Sequence, residues 1–149
     1  MNHLYLFKEL GEADLERIEA IAELVTYGPG ERIFSQGDVA DAFYLIQSGA
    51  VRIDLLEDDE NEVEIAKLGT GSHFGEMGML DNEPRSASAT SESYTDVIRI
   101  GYAEIGALME EDNNIAIHFY RAISKFLASR LRLTSLDLSL SRSQNLSYF

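Results

Sequence analysis

The sequence contains no cysteine and no tryptophan, and only two prolines and three histidines among its 149 residues. Without cysteine there is no disulfide, no zinc–thiolate or iron–sulfur site and no thiol nucleophile, a composition that suits a reducing compartment. His3, His73 and His118 are far apart in the chain and form no His-x-His pair. Clustered-histidine metal binding and metal-assisted hydrolysis therefore lack their ligands, so no metal, cofactor or catalytic residue is expected. No run approaches the roughly eighteen apolar residues of a membrane span. The segment Met1–Leu10 carries Lys8 and Glu9 in place of a long apolar core, so no leader is expected and the chain reads as soluble and cytoplasmic.

Basic residues are also scarce. Twelve Lys and Arg stand against 26 Asp and Glu, for a net charge of −14. Five of the twelve, Arg121, Lys125, Arg130, Arg132 and Arg142, lie in the last 36 residues beside Asp137 as the sole acid. The rest of the chain is thus more acidic than the whole. Nucleic-acid binding draws much of its affinity from neutralising phosphates, so DNA is a poor partner for this body. An anionic ligand would need a local pocket of donors, and the general acidity reads as a solubility device.

What is present is organised by changes of period. In Glu12–Val25, Leu15, Ile18, Ile21, Ala22 and Val25 recur at helical steps, and Tyr27-Gly28-Pro29-Gly30 ends the helix. From Glu31 to Ile100 the period falls to two. Strands are predicted at Arg32–Ser35, Ala42–Gln47, Ala50–Leu56, Glu62–Leu68, Ser86–Ala89 and Asp96–Ile100, separated by glycine turns. The acidic run Glu57–Glu62 reads as a solvated hairpin loop, because it lacks the glycine and ligand spacing of a calcium loop. Many short strands at this spacing indicate a mainly β sandwich or barrel with flanking helices, a jelly roll among the favoured solutions.

The helical period returns at Tyr102–Glu111 and again from about Ile115 to Leu140, with Asn113 or Asn114 as the cap. In the long helix Phe119, Ile123, Leu127, Leu131, Thr134 and Leu138 fall within one band of about 120°. Such a band outruns what a small β domain can cover, which predicts a homodimer through this helix. The alternative is a helix folded back on its own domain. Residues 1–140 are read as one domain, with the dimerisation helix at 115–140 and a serine-rich flexible tail at 141–149.

The stretch Phe74-Gly75-Glu76-Met77-Gly78-Met79-Leu80-Asp81-Asn82-Glu83-Pro84-Arg85-Ser86-Ala87 carries the chemistry. Its glycines permit close backbone approach, and Glu76–Met79 is long enough for one helical turn whose leading amides attract an anion. Arg85 offers a planar fork that matches two phosphate oxygens, and Ser86 adds a hydroxyl. Glu76 repels a phosphate but accepts from a sugar hydroxyl. A donor cradle beside an acceptor implies a ligand with both phosphate and ribose, while a plain Arg85–Glu76 salt bridge across the loop remains the competing explanation.

This stretch closely resembles the phosphate-binding cassette of the cyclic nucleotide-binding domain family, with Gly75, Glu76, Leu80, Arg85 and Ala87 at its fixed positions. The likeness extends to Gly28-Pro29-Gly30-Glu31, Gln36-Gly37-Asp38, Phe43–Ile46 and Ser48-Gly49-Ala50-Val51, over roughly residues 10–136. It implies an antiparallel β-roll with an N-terminal helix and a long C-terminal helix. It also implies that Arg85, Ser86 and the amides of Met77 and Gly78 hold the cyclic phosphate. Glu76 and the Gly75 backbone would hold the ribose 2′-hydroxyl. Ala128–Ser135 further resembles the central helix of the bacterial catabolite activator proteins, where an adjacent threonine and serine contact adenine from the two subunits. Thr134 and Ser135 take those places here, which favours cyclic AMP; Ser86 leaves cyclic GMP open.

The activators' DNA-reading segment would follow the central helix, and this sequence ends at Phe149. The expectation is therefore a non-catalytic sensor or a fragment of a longer protein, with a degenerate dimerising scaffold as the alternative. Ligand would bridge the roll and the long helix. The basic face of Arg121, Lys125 and Arg132 is a candidate contact for an effector protein.

Overall fold

The computed structural model describes residues 5–146, with side chains for residues 6–138; His3 lies outside that range. A 3-10 turn, Tyr5–Phe7, precedes α1 (Glu12–Ile21), then β1 (Ala22–Tyr27), β2 (Arg32–Phe34), β3 (Ala42–Ser48), β4 (Ala50–Leu56), β5 (Glu62–Gly69) and β6 (His73–Phe74). The short helix α2 (Met77–Asp81) follows, then β7 (Ser88–Ser91), β8 (Thr95–Gly101), α3 (Tyr102–Glu111) and α4 (Asn113–Leu146). The strands form two four-stranded antiparallel sheets, ordered β1-β8-β3-β6 and β2-β7-β4-β5. This is the antiparallel β-roll with an N-terminal and a long C-terminal helix that the periodicity and the resemblance predict.

Strand β3 shows how the layers are built. Phe43 and Leu45 point into a helical core with Phe7, Ile18, Ile105 and Phe119. Tyr44 and Ile46 point into the roll, against Val51, Phe74, Ala89 and Val97. A strand covered on both faces loses the polar half of its alternation, so Ala42–Ile46 is apolar throughout and wholly buried.

Four expectations are corrected. The first helix stops at Ile21, and Ala22–Tyr27 is a strand paired with β8, from Ala22↔Ile100 to Tyr27↔Thr95. Its Leu-Val-Thr-Tyr run favours extended backbone, and the open edge of β8 supplies the ladder. The β7 strand lies two residues later than predicted, because Arg85–Ala87 is held in the site loop. The cap of α4 is Asp112, whose Oδ1 accepts from the amides of Asn114 (2.9 Å) and Ile115 (3.3 Å). The carboxylate also meets Arg17 Nη1 of α1 at 2.5 Å. Finally, α4 continues past Leu140 to Leu146. Residues 141–146 contain neither glycine nor proline, and serine alone costs a helix little; residues 147–149 lie outside the described range.

The first half of α4 folds back on the domain, with Ile115, Phe119 and Ile123 buried. The second half does not. Leu131, Leu133, Leu136 and Leu138 are exposed, Leu131 by 68%. Among the described residues no helix is long and apolar enough to cross a membrane.

Candidate ligand-binding site

A cavity of about 280 Å³ opens between the roll and α4. Its walls include Gly75, Glu76, Met77, Gly78, Arg85 and Ser86 from the loop predicted to carry the chemistry, Ile65 and Leu68 from β5, and Phe126 and Arg130 from α4. Six of the eight predicted site residues therefore meet at one cavity. Thr134 and Ser135 do not line it; both are exposed on α4, beyond Arg130.

The loop is shaped by its glycines. Gly75 has φ +84°, and a Cβ there would stand 2.8 Å from Arg85 Nη1. At Gly78 a Cβ would collide with the Ala40 side chain and come within 3.2 Å of the Tyr102 hydroxyl. Close approach thus accounts for both glycines. Helix α2 ends on Asn82 in the left-handed conformation, φ 57°, an arrangement asparagine tolerates.

Arg85 is 6% exposed. Its backbone is clasped by the Gln36-Gly37-Asp38 turn: the Arg85 amide donates to the Asp38 carbonyl, and the Gly37 amide donates to the Arg85 carbonyl, each at 2.8 Å. Its Nη1 donates to the Gly75 carbonyl (2.8 Å) and its Nη2 to the Ala42 carbonyl (2.7 Å). The guanidinium stacks on the Phe34 ring, with Asp41 Oδ1 at 3.8 Å. Its Nε is buried with no hydrogen-bond partner among the described residues. The Tyr102 hydroxyl donates to the same Gly75 carbonyl; burial pushes the Tyr102 pKa up, so the phenol remains a donor.

Glu76 is 5% exposed, and the His73 imidazole stands beside it, Nδ1 to Oε2 3.4 Å. Burial, the largest single influence, pushes its pKa up; the neighbouring His73 imidazole, a backbone hydrogen bond and Arg130 outweigh it and hold the carboxyl below its ordinary value. The predicted alternative of a plain Arg85–Glu76 bridge is not formed. Arg85 engages carbonyls and Asp41, and Glu76 engages His73. The site thus keeps a buried cation and a buried anion apart, each with its own supports.

Among the contributors not read from the sequence as site residues are Phe34, His73, Tyr102, Phe126 and Arg130. Only His73 adjoins the cassette. The others arrive from β2, α3 and α4 by topology. Among the described residues no group of three His, Cys, Asp or Glu is placed to hold a metal ion.

A β-roll whose glycine-rich loop presents a buried arginine and a buried glutamate to a cavity closed by a C-terminal helix is a ligand-binding module. The family model for the cyclic nucleotide-binding domain matches residues 24–112, and the chain belongs to that family. The type II regulatory subunit of cAMP-dependent protein kinase from Drosophila melanogaster is 36% identical over 109 residues, covering 72% of this chain and 28% of that protein. The cyclic AMP receptor protein of Thermus thermophilus is 33% identical over 135 residues, covering 91% of this chain and 61% of that one. The crystal structure of the Thermus thermophilus catabolite activator protein superposes with a TM-score of 0.79 at 32% identity, covering 91% of this chain and 62% of that chain. This sequence spans less than two thirds of the length of these relatives.

Proposed function

We propose that this chain is a non-catalytic sensor of a 3′,5′-cyclic nucleotide, cyclic AMP foremost. The observation that carries the reading is Arg85, a buried guanidinium beside the cavity whose Nε lacks a partner. An unpaired buried donor is costly, and an anion in the cavity would satisfy it. In this reading Arg85, Ser86 and the amides of Met77 and Gly78 hold the cyclic phosphate, while Glu76 and the Gly75 backbone hold the ribose 2′-hydroxyl. The names of the Drosophila and Thermus relatives, a cAMP-dependent kinase subunit and a cyclic AMP receptor protein, support cyclic AMP.

The exposed leucines of the second half of α4 support a homodimer, in which Thr134 of one copy and Ser135 of the other would read the base at the cavity mouth. Because Phe126 and Arg130 line the cavity with the roll, ligand would bridge roll and helix. Its differential affinity for two helix positions would then change what the dimer offers an effector protein. The protein is expected to work in the cytoplasm.

Calorimetric titration with cyclic AMP, cyclic GMP and AMP tests this reading. Binding of cyclic AMP with little affinity for the other two is the expected result. Preference for cyclic GMP would retain the cradle and discard the roles of Thr134 and Ser135. No binding of either cyclic nucleotide, after removal of any co-purified ligand, would leave a dimerising scaffold.

A further inference from the structure

His73 carries an inference that the cassette itself does not. Its ring is 3% exposed, on a strand of two residues whose position is set by pairing with the central strand β3, Leu45↔His73 and Tyr44↔Phe74. Gly75, in the left-handed region, turns the chain so that the Glu76 carboxylate comes back over the imidazole, with Nδ1 3.4 Å from Oε2. The other side of the contact is α4: the Phe126 ring centroid lies 4.2 Å from that of His73, at an interplanar angle of 59°. Arg130 in turn lies over Phe126, Cζ 5.4 Å from the ring centroid. The backbone that carries the imidazole is therefore fixed by β3, and the ring itself packs on Phe126 of the helix.

A glutamate has three side-chain torsions, and a buried carboxylate recognises a hydroxyl well only if those torsions are set beforehand. A carboxylate accepts at both oxygens. If one oxygen is held by the imidazole, the other is left to the ligand in a defined direction. At 3.4 Å the contact between Nδ1 and Oε2 is longer than an ordinary N–H···O hydrogen bond, and an Nδ1–H tautomer would direct its N–H dipole at that carboxylate oxygen.

We propose that His73 is the positioning residue of the sugar subsite, holding Glu76 Oε2 so that Oε1 is presented to a hydroxyl of the bound ligand, with Phe126 of α4 keeping the imidazole in place. The inference rests on the reading of Glu76 as the ribose acceptor. It assigns His73 a share in discriminating a ribonucleotide from its 2′-deoxy counterpart. It also makes that discrimination depend on where α4 lies.

Titration of the full chain with cyclic AMP and with 2′-deoxy cyclic AMP tests it, in the native protein and in H73F, H73L and H73N. H73F and H73L keep an apolar group against Phe126 but remove the donor; H73N keeps a donor near the position of Nδ1. The native chain should prefer cyclic AMP. In H73F and H73L that preference should shrink about tenfold, with little change in affinity for the 2′-deoxy ligand and with the fold retained by thermal melting. H73N should restore most of the preference. An undiminished preference in either folded apolar variant, or a parallel loss for both ligands, would overturn the role of His73 while leaving Glu76 as the acceptor. Equal affinity of the native chain for the two ligands would remove Glu76 from the sugar subsite, and the inference with it.

Discussion

The guanidinium carbon of Arg85 lies 4.0 Å from the centroid of the Phe34 ring, so the cation sits over an aromatic face from β2 while its Nη1 and Nη2 donate to the Gly75 and Ala42 carbonyls. Contact with an aromatic face together with two donors held in one fork suits arginine and not lysine. It also means that the charge is buried mainly against carbonyl dipoles and an aromatic face, since Asp41 lies at 3.8 Å and is largely exposed.

The same cation serves both ligand and fold. Arg85→Met removes the donors to the Gly75 and Ala42 carbonyls, and a buried acceptor left unpaired costs about 1–3 kcal/mol. Arg85→Met is therefore expected to melt somewhat below the native chain without ligand, and to bind cyclic AMP at least a hundredfold more weakly. Thermal melting with and without nucleotide checks both halves, and native-like stabilisation of the folded variant by cyclic AMP would remove Arg85 from the cradle.

Tyr102 supports the same loop from α3. Tyr102→Phe removes the hydroxyl that donates to the Gly75 carbonyl, leaving that acceptor to Arg85. A cost of about 1 kcal/mol in denaturant unfolding is expected, together with a several-fold weaker affinity for nucleotide, because Gly75 and Gly78 both pack near that hydroxyl.

Glu76 sets a pH dependence whose sign is fixed. Its pKa in the folded chain is below the ordinary value, so the unfolded chain binds the proton more readily. Its contribution to stability is fully present above about pH 4.3, the ordinary glutamate value, and is lost as the pH falls through the lower folded value. Melting temperatures between pH 6 and pH 3 should show an acid-side decline in the native protein that is shallower in Glu76→Gln. Parallel curves would mean that other carboxylates carry the whole effect.

The proposed dimer through α4 would bury leucines that one copy leaves bare. Leu131→Asp places a charge at a side chain 68% exposed in the single chain, and so should leave monomer stability within about 0.5 kcal/mol of native. Sedimentation velocity should nonetheless show a shift from dimer to monomer. An unchanged dimer would move the interface elsewhere.

How legible these features were depends on the range of the interactions that make them. β4 and α3 have the bounds the sequence puts on them, although a register shift between Ile53 and Asp54 buries Asp54 and exposes Leu55, against the alternation of the strand. β1 does not, because Ala22–Tyr27 suits a helical step and an extended ladder equally, and only the edge of β8 decides. β6 is two residues long, too short for any period. At the site, Arg85, Glu76 and their glycines sit in one contiguous loop and could be read together. Phe34, the Ala42 carbonyl, Tyr102 and Phe126 belong to four separate elements, and no local pattern marks them as neighbours of Arg85 or His73. Thr134 and Ser135 were read from a short likeness, and within one chain they remain outside the cavity.

The contrast along α4 has a mechanical meaning. From Ile115 to Ile123 the helix is clamped in the helical core, and from Leu131 onward it projects from its own domain. Such an element behaves as a cantilever, with its root in the core and the cavity at its fulcrum, where Phe126 and Arg130 lie. Leu138 is twelve residues beyond Phe126, about 18 Å at the helical rise. A tilt of about 10° at the cavity would therefore carry the far leucines sideways by about 3 Å, roughly half the spacing of one helical turn. A displacement at the fulcrum too small to disturb the β-roll would be enough, at that distance, to change which surface the exposed leucines offer.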